Sequence, residues 1–420
     1  MKRRDFLKAA GFAGMSLMSP FGLRSARAQD NAPYEGTFFV LVNAAGGWDP
    51  TSLCDPKGRA NEEDLDPMNM YFTGDIQTAG NIRYAPVAGN QAFFDKHYSK
   101  TLIINGVDCS TNGHDSGSRH TWSGRLAEGY PALGALLSAS LAPNKPLSFI
   151  SNGGYDLTQG LVAPTRTGDT GALTRIAYPT RLDPSDESSE LHSQATLTRL
   201  QAAQQARLQR QITAQNLPKL RHSMNALAVA RSGENEIKRL TEFMPAELDS
   251  SNNALRRQAQ VALAAYKAGV CATANLSIGG FDSHGDHDNR QFAAMTRLTE
   301  GVDFLWDEAE RQGVADRMVV VVGSDFGRTP GYNSGGGKDH WSITSMMLMG
   351  RGITGNRVIG STDERHRPHS IDPGTLTRDD NGIRIAPGHI HRAIRKLAGI
   401  EGGEVARSYP ITDAELALLS

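Results

Sequence analysis

A run of apolar residues, Met318–Gly323, reads Met-Val-Val-Val-Val-Gly and is followed at once by Ser-Asp-Phe-Gly-Arg-Thr-Pro. A short, unbroken run of β-branched residues predicts a strand that is buried on both faces of a sheet. Ligands of open α/β sheets bind beyond the carboxyl ends of the strands. Asp325, two residues past this strand, is therefore a candidate site residue.

Further apolar segments predict the other strands of the same sheet, at residues 37–43, 101–107, 147–150, 270–278 and 343–349. Segments with helical periodicity lie between them, at 131–141, 253–268, 292–305 and 389–397. Strands that alternate with helices are typical of a mostly parallel sheet covered by helices on both faces. The chain is therefore predicted to be an α/β three-layer sandwich.

A helical insertion is predicted at about residues 152–260. Residues 152–190 have turn-forming composition and little periodicity, and residues 190–245 are rich in Gln, Ala, Arg and Leu with a thin apolar stripe. This composition favours helices that are largely solvated. The insertion is interpreted as a helical hairpin packed on the core; a cap over the site or a partner-binding arm is the alternative.

The N-terminus has the features of an export signal. Arg3 and Arg4 precede a weakly apolar stretch from residue 9 to 23, and Ala26-Arg27-Ala28 fits a cleavage site. This order is typical of a twin-arginine signal peptide rather than of an ordinary amphipathic helix. We predict a signal over residues 1–28, a single mature domain over 29–420, and a periplasmic or otherwise exported protein with no membrane span after the signal is removed.

Charge and cysteine content exclude several classes of function. The predicted signal holds six basic residues and one acidic residue, so its removal takes the formal net charge from −1 to −6. A mature chain with this balance is not expected to bind nucleic acid. Cys54, Cys109 and Cys271 have no C-x-x-C spacing, which argues against a zinc–thiolate site. They are interpreted as small buried residues, although one pair could bridge in an oxidising compartment.

The densest group of candidate ligands follows the strand predicted at 270–278. Residues 279–288 read Gly-Gly-Phe-Asp-Ser-His-Gly-Asp-His-Asp. Carboxylate and imidazole together suit zinc or manganese, whereas carboxylate alone favours magnesium or calcium. Asp282 and His284 are predicted metal ligands because they directly follow the glycine turn. Asp288 is instead interpreted as the cap of the next helix.

Three other loops supply candidates. His340 follows a glycine triplet in Gly-Gly-Gly-Lys-Asp-His-Trp, and its neighbour Asp339 could orient a ligating histidine. Asp49 ends the first strand, and either a ligand or a turn aspartate before Pro50 would fit there. Arg328 could pair with Asp325 or bind a phosphate or sulfate anion.

The loop after the second strand contains His114 together with several hydroxyl residues, Ser110, Thr111, Ser116 and Ser118. A hydroxyl here could act as a nucleophile if a metal ion lowered its pKa, and spacing does not select one of them. The chain has no G-x-S-x-G elbow and no G-x-x-x-x-G-K-[ST] loop. Serine-hydrolase and P-loop chemistry are therefore not expected.

Taken together, the motifs Gly-Phe-Asp-Ser-His (280–284), Ser-Asp-Phe-Gly-Arg-Thr-Pro (324–330) and Gly-Lys-Asp-His-Trp (337–341) resemble those of the exported bacterial family called domain of unknown function 1501. That family is placed within the alkaline phosphatase and sulfatase-like superfamily. The resemblance implies an alkaline phosphatase-like fold over nearly the whole mature chain. It also implies a set of metal ligands, which are Asp49, Asp282, His284, Asp325 and His340.

Two functions are expected from this resemblance. The first is an exported hydrolase of phosphate or sulfate esters that uses a divalent ion (zinc, manganese, calcium or magnesium), with His114 and Arg328 as further active-site residues. Its substrate would be a small anionic ester. The second is a binding or assembly role in the cell envelope, with a protein partner on the helical insertion. The second is considered because Phe326 stands where the superfamily has a histidine, and no nucleophilic hydroxyl falls at the usual position.

Overall fold

The protein is described by a computed structural model, which covers residues 32–419 except 168–174, 176, 179, 184, 185 and 233. The predicted signal over residues 1–28 lies outside the described residues. Among the helices of the described part, none combines the length and apolar composition needed to cross a bilayer. Cys54, Cys109 and Cys271 are all buried free thiols, as their interpretation as core residues predicted.

The strands are β1 (Phe38–Ala44), β2 (Gln77–Ala79), β3 (Ile82–Tyr84), β4 (Thr101–Asp108), β5 (Phe149–Ser151), β6 (Pro164–Arg166), β7 (Thr273–Ile278), β8 (Met318–Gly323), β9 (Gly327–Arg328), β10 (His340–Trp341), β11 (Ile343–Gly350) and β12 (Arg357–Ile359). The α-helices are α1 (Asn90–His97), α2 (His114–Ser123), α3 (Leu133–Leu141), α4 (Gln194–Ala214), α5 (Pro218–Ser232), α6 (Glu234–Phe243), α7 (Ala254–Lys267), α8 (His287–Arg311), α9 (Pro387–Leu397) and α10 (Glu404–Ser408).

One eight-stranded sheet organises the molecule, in the order β12-β4-β11-β8-β1-β7-β5-β6. All neighbouring pairs in it are parallel except those that β11 makes with β4 and β8. β11 runs the other way because the chain returns from the end of β8 through a loop at the same edge, without a crossover helix. The predicted mostly parallel sheet is confirmed.

Helices cover both faces of this sheet. Alternate side chains of β1 point to opposite sides, so that Val40 packs in one apolar cluster with α7 and α8, and Leu41 packs in a second with α2, α3 and α9. The valines of β8 divide in the same way, and all four are fully buried. A central strand that is apolar on both faces is stable only between two helical layers, so the three-layer sandwich is confirmed.

The boundaries of the predicted insertion need adjustment. Within residues 152–260, β6 pairs with β5 at the edge of the sheet, and α7 packs on the core through buried residues such as Val261 and Leu263. The part that stands away from the core is the pair α4 and α5, because α6 packs into the core cluster through Ile237 and Leu240. Of the 21 residues of α4, only Leu197 and Ile212 are buried, which agrees with the predicted thin apolar stripe.

The sheet topology places several loops at one edge. The carboxyl ends of β1, β4, β7 and β8 meet there because these strands are mutually parallel, and β11 begins there because it is antiparallel. The loops at this edge carry Asp49, His114, Asp282, Asp325 and His340. This is the edge at which open α/β sheets bind ligands.

Stability is expected to fall in acid because of His391 on α9. Its Nε2–H donates to the carbonyl of Thr121 at 2.8 Å, and burial lowers its pKa from 6.5 to about 3. The folded protein therefore keeps this ring neutral where the unfolded chain takes up a proton. The contribution of the neutral His391 ring to the free energy of unfolding is therefore complete above pH ~6.5. As the pH falls from there toward 3, this contribution decreases by about 1.4 kcal/mol per pH unit.

Urea unfolding of the protein and of His391→Gln between pH 6.5 and 4 tests this expectation. In His391→Gln, the decrease in the free energy of unfolding on acidification should be smaller by about 1.4 kcal/mol per pH unit. The same change at the exposed His192 should leave this pH dependence unaltered. An equal slope in the protein and in His391→Gln would contradict the assignment.

Candidate metal centre

Three histidines and one aspartate meet at the edge of the sheet described above. His114 is the first residue of α2, Asp282 and His284 lie in the loop after β7, and His340 opens β10 just before β11. His114, Asp282 and His340 can each offer one ligand atom, with these atoms all within 4.8 Å of one another. His284 joins the same group through the contacts described next.

Three ligand-type atoms converge closely. His284 Nε2 lies 2.9 Å from His340 Nε2, and Asp282 Oδ1 lies 3.1 Å from the first and 3.2 Å from the second. His114 Nε2 is 3.7 Å from the other oxygen of the Asp282 carboxylate. Ligands in a tetrahedral shell with metal–ligand distances near 2.1 Å lie about 3.4 Å apart, so the spacing is close to that of a coordination shell.

The other ring nitrogen of each histidine faces an oxygen. His284 Nδ1 is 2.9 Å from Asp339 Oδ1, His340 Nδ1 is 2.8 Å from the carbonyl of Asn112, and His114 Nδ1 is 2.6 Å from Asp325 Oδ2. Since each of these oxygens accepts, each neutral ring carries its hydrogen on Nδ1 and a lone pair on Nε2.

The consequence is electrostatic. With both rings neutral, the lone pairs of His284 and His340 point at each other and at an ionised carboxylate, an arrangement that repels unless a proton or a metal ion lies among them. The pattern of an imidazole held by an oxygen at its outer nitrogen is common among metal-bound histidines. The donor set of the described residues therefore fits a divalent ion that accepts nitrogen and oxygen ligands, such as zinc or manganese.

Asp282 is ionised throughout the physiological range. Burial works against its charge, but the hydrogen bond from Arg328 and the positive charge of its guanidinium outweigh this effect and lower the pKa of Asp282 to about 2. Arg328 Nη2 donates to Asp282 Oδ1 at 2.8 Å. The carboxylate side chain is nevertheless about half exposed (49 %), so it is charged, held in place and accessible from solvent.

Asp325 lies at the margin of the centre. Its Oδ1 accepts from the backbone N–H of Gly46 at 3.0 Å and its Oδ2 accepts from His114. The side chain is buried, and the carboxylate is occupied by these contacts. The structure thus brings Asp325 to His114, where it orients the ring, and a direct ligand role for Asp325 stays a prediction.

Arg328 was predicted to bind an anion, but its guanidinium is fully buried and is hydrogen-bonded to other groups of the protein. Nε donates to the carbonyl of Gly47 at 2.8 Å, Nη1 donates to that of Lys338 at 3.0 Å, and Nη2 contacts the carbonyl of Gly46 and Asp282. Arg328 therefore ties three loops together and positions Asp282, instead of facing a substrate.

Asp49 is in a separate, sealed network. Its Oδ2 accepts from Lys338 Nζ at 2.6 Å and from His287 Nε2 at 3.0 Å, and its Oδ1 accepts from the hydroxyl and backbone N–H of Thr51. Burial alone would raise the pKa of Asp49, but Lys338 and His287 outweigh it and hold the pKa well below the ordinary value. The predicted ligand Asp49 is thus not brought to the centre.

The same network contains a Ser–His–Asp series. Ser283 Oγ lies 2.8 Å from His287 Nδ1, and His287 Nε2 contacts Asp49. The series has the connectivity of a hydrolase triad, but all three side chains have no solvent exposure. A substrate cannot reach Ser283, so the series is interpreted as a structural link between β1 and α8.

Sequence reasoning missed His287 and Lys338 because each lies beside a more obvious candidate. It anticipated the contact between Asp339 and a histidine. The assignment of Asp288 as a helix cap was wrong, because α8 begins one residue earlier, at His287, and Asp288 accepts from the hydroxyl of Tyr332 instead.

Glycine is required at one position beside the centre. A Cβ on Gly337 would lie 2.0 Å from the backbone carbonyl of His284, whereas a Cβ on Gly335 would meet nothing closer than 3.4 Å. Gly337→Ala should therefore push the loop that carries His340 away from His284 and lower metal affinity about 10- to 100-fold. Gly335→Ala is the matched control. Equal Mn²⁺ affinities of the two variants by calorimetry would contradict this account.

Comparison with solved structures finds distant similarity to enzymes. A protein of glycosaminoglycan metabolism from Bacteroides thetaiotaomicron is 10% identical, with 90% of this chain and 74% of that chain covered and a TM-score of 0.41. A 2-O GAG sulfatase is 10% identical, with coverage of 91% and 76% and a TM-score of 0.35. An alkaline phosphatase from the Antarctic bacterium TAB5 is 10% identical, with coverage of 77% and 94% and a TM-score of 0.34. Similarity at this level carries no argument about activity.

The family assignment rests on sequence. No curated protein matches the chain. The family model described as "Protein of unknown function (DUF1501)" matches residues 38–376. The matched region begins at β1, ends beyond β12 and includes every residue of the candidate metal centre described above. The chain therefore belongs to the DUF1501 family.

Proposed function

We propose that this protein is an exported, metal-dependent hydrolase of phosphate or sulfate esters. The observation that carries the proposal is the convergence of His284 Nε2, His340 Nε2 and Asp282 Oδ1, each with a lone pair directed into one small space. The space opens to solvent, because the side chains of His284 and Asp282 are about half exposed. A small anionic ester could therefore reach it.

The residues of the candidate centre would have two roles. Asp282, His340, His284 and His114 would hold the ion, and Asp339, the Asn112 carbonyl and Asp325 would fix the histidine rings. A divalent ion bound there would polarise the ester and lower the pKa of a coordinated water. A water molecule would be the nucleophile, because Ser283 has no solvent exposure and, among the hydroxyls beside His114, those of Thr111 and Ser116 are hydrogen-bonded to each other at 2.6 Å.

The negative charge of the substrate would be met mainly by the ion. Arg328, the side chain first expected to bind the anion, already has its guanidinium shared among three carbonyls and Asp282. Activity should therefore depend on the metal for substrate binding as well as for chemistry. Removal of metal should abolish substrate binding and turnover together.

Metal analysis and an ester assay test the proposal. The purified protein should contain zinc, manganese, calcium or magnesium, or take one up on incubation, and should hydrolyse p-nitrophenyl phosphate or p-nitrophenyl sulfate. EDTA should abolish the activity and the ion should restore it. A protein that binds none of the four ions after incubation with each would overturn the proposal.

A binding role in the envelope is the second candidate, and the charge of the helical arm favours it. The arm that contains α4 and α5, residues 191–233, holds six basic residues and no acidic one, whereas the remainder of residues 32–420 holds 32 basic and 43 acidic residues. Leucines at 200, 217, 220 and 227 are exposed on this arm. A basic surface with exposed leucines suits an acidic protein partner.

Charge reversal separates the two candidates. The triple variant Arg199→Glu, Arg207→Glu, Arg210→Glu should abolish a partner-dependent phenotype and leave ester hydrolysis unaffected. Loss of the phenotype on changing Asp282, with the reversed arm fully functional, would argue against the binding role.

A further inference from the structure

We propose that the buried ammonium of Lys338 neutralises Asp49 and anchors the loop that carries His340. As a consequence, the centre binds one divalent ion per chain. The inference rests on the proposed metal centre and deepens it, because it gives the number of ions and names a positioning residue. Lys338 touches neither the ion nor a substrate in this account, and it acts through His340.

The first observation is that Asp49 has no capacity left for an ion. A carboxylate offers about four lone-pair positions. Thr51 fills two of them through its N–H at 2.9 Å and its hydroxyl at 2.6 Å. Lys338 Nζ and His287 Nε2 fill the other two, and the Ser52 hydroxyl makes a longer contact with Oδ2 at 3.5 Å. Its charge is balanced by the Lys338 ammonium, so the carboxylate at the end of the first strand is neutralised from within.

The second observation is how completely Lys338 is enclosed. Neither Lys338 nor Asp49 has any solvent exposure. The ammonium donates to Asp49 and also to Asn69 Oδ1 at 2.9 Å, and it lies 5.1 Å from the centre of the Tyr332 ring. A buried charge is tolerated only when it is paired in this way, so the lysine and the aspartate have to be kept together.

The third observation connects this pair to the metal centre. The backbone of Lys338 donates to the carbonyl of Ser283 at 3.1 Å and accepts from Arg328 Nη1 at 3.0 Å. His340 follows two residues later. The side chain thus anchors the loop to the segment that follows β1, and the backbone anchors it to the segment that holds Asp282 and His284. Loss of the side-chain anchor should displace His340 from the other ligands.

Mn²⁺ binding by isothermal titration calorimetry tests the inference on the full chain. The protein should bind one ion, and Lys338→Met should weaken binding at least about 10-fold. Asp49→Asn should also weaken it, and the double variant should be affected less than the product of the single effects, because the two residues act as one unit. Lys57→Met is the matched control, since Lys57 pairs with Asp55 at 3.1 Å and belongs to another loop.

Hydrogen exchange gives a readout that needs no metal. Amides of residues 333–341 should exchange faster in Lys338→Met than in the protein or in Lys57→Met. Two ions per chain, or Lys338→Met with unchanged affinity and unchanged exchange, would overturn the inference. If the protein bound no ion, the proposed hydrolase and the one-ion stoichiometry would both fall, and exchange alone would decide whether Lys338 anchors the loop.

Discussion

Replacement of Asp282 by asparagine is expected to lower the affinity for Mn²⁺ or Zn²⁺ at least roughly 100-fold. Asp282 is the carboxylate of the centre, and its Oδ1 lies within 3.2 Å of two imidazole nitrogens. Asparagine keeps the shape but removes the charge that attracts the cation. The change also removes the charged partner of Arg328, so the remaining side chain should be less well ordered.

Calorimetric titration of the variant with Mn²⁺ measures this effect. Asp286→Asn is the matched control, because Asp286 lies in the same segment and its carboxylate accepts from the side chain of Asn289 at 2.7 Å. Asp286→Asn should bind Mn²⁺ as the unmodified protein does. Comparable loss in both variants would mean that general negative charge, and not ligation by Asp282, attracts the ion.

Replacement of Arg328 by methionine is expected to lower the free energy of unfolding by about 3–5 kcal/mol. The change leaves the carbonyls of Gly46, Gly47 and Lys338 without their buried donor. It also removes the strongest hydrogen bond that keeps the pKa of Asp282 low. Metal affinity should therefore decrease, and the decrease should be greatest at low pH.

Urea unfolding with and without Mn²⁺ checks the second prediction. Arg328→Lys should be almost as unstable as Arg328→Met, because one ammonium cannot reproduce a planar fork of donors to several carbonyls. Arg317→Met, at a partly exposed arginine of the same protein, should cost far less. A loss below 1 kcal/mol at position 328 would show that the three loops are held together by other contacts.

The topology of the sheet explains which part of the site could be predicted from the sequence. Asp282 and His340 follow or precede apolar strands, and residues at the ends of neighbouring strands meet at one edge whatever the details of the loops. His114 follows β4 for the same reason. The apolar run of β8 and the alternation of strands with helices were sufficient for the three-layer fold.

The roles of Asp49 and Arg328 could not be predicted, because they depend on which side chains from distant parts of the chain contact each loop. Asp49 and Arg328 both lie at the correct edge, but each is satisfied by a partner that approaches from a distant part of the chain: Lys338 for Asp49, and the carbonyls after β1 for Arg328. Spacing along the chain carries no information about such pairings. The reversed direction of β11 was missed for a related reason, since an apolar run predicts a strand and not its direction.

Anomalous diffraction from crystals grown with Mn²⁺ tests the central claim most directly. The account predicts one strong peak per chain, about 2.0–2.3 Å from Asp282 Oδ1 and His340 Nε2, and no peak beside Asp49. A peak at Asp49, or no peak among His114, Asp282, His284 and His340 at saturating Mn²⁺, would contradict it.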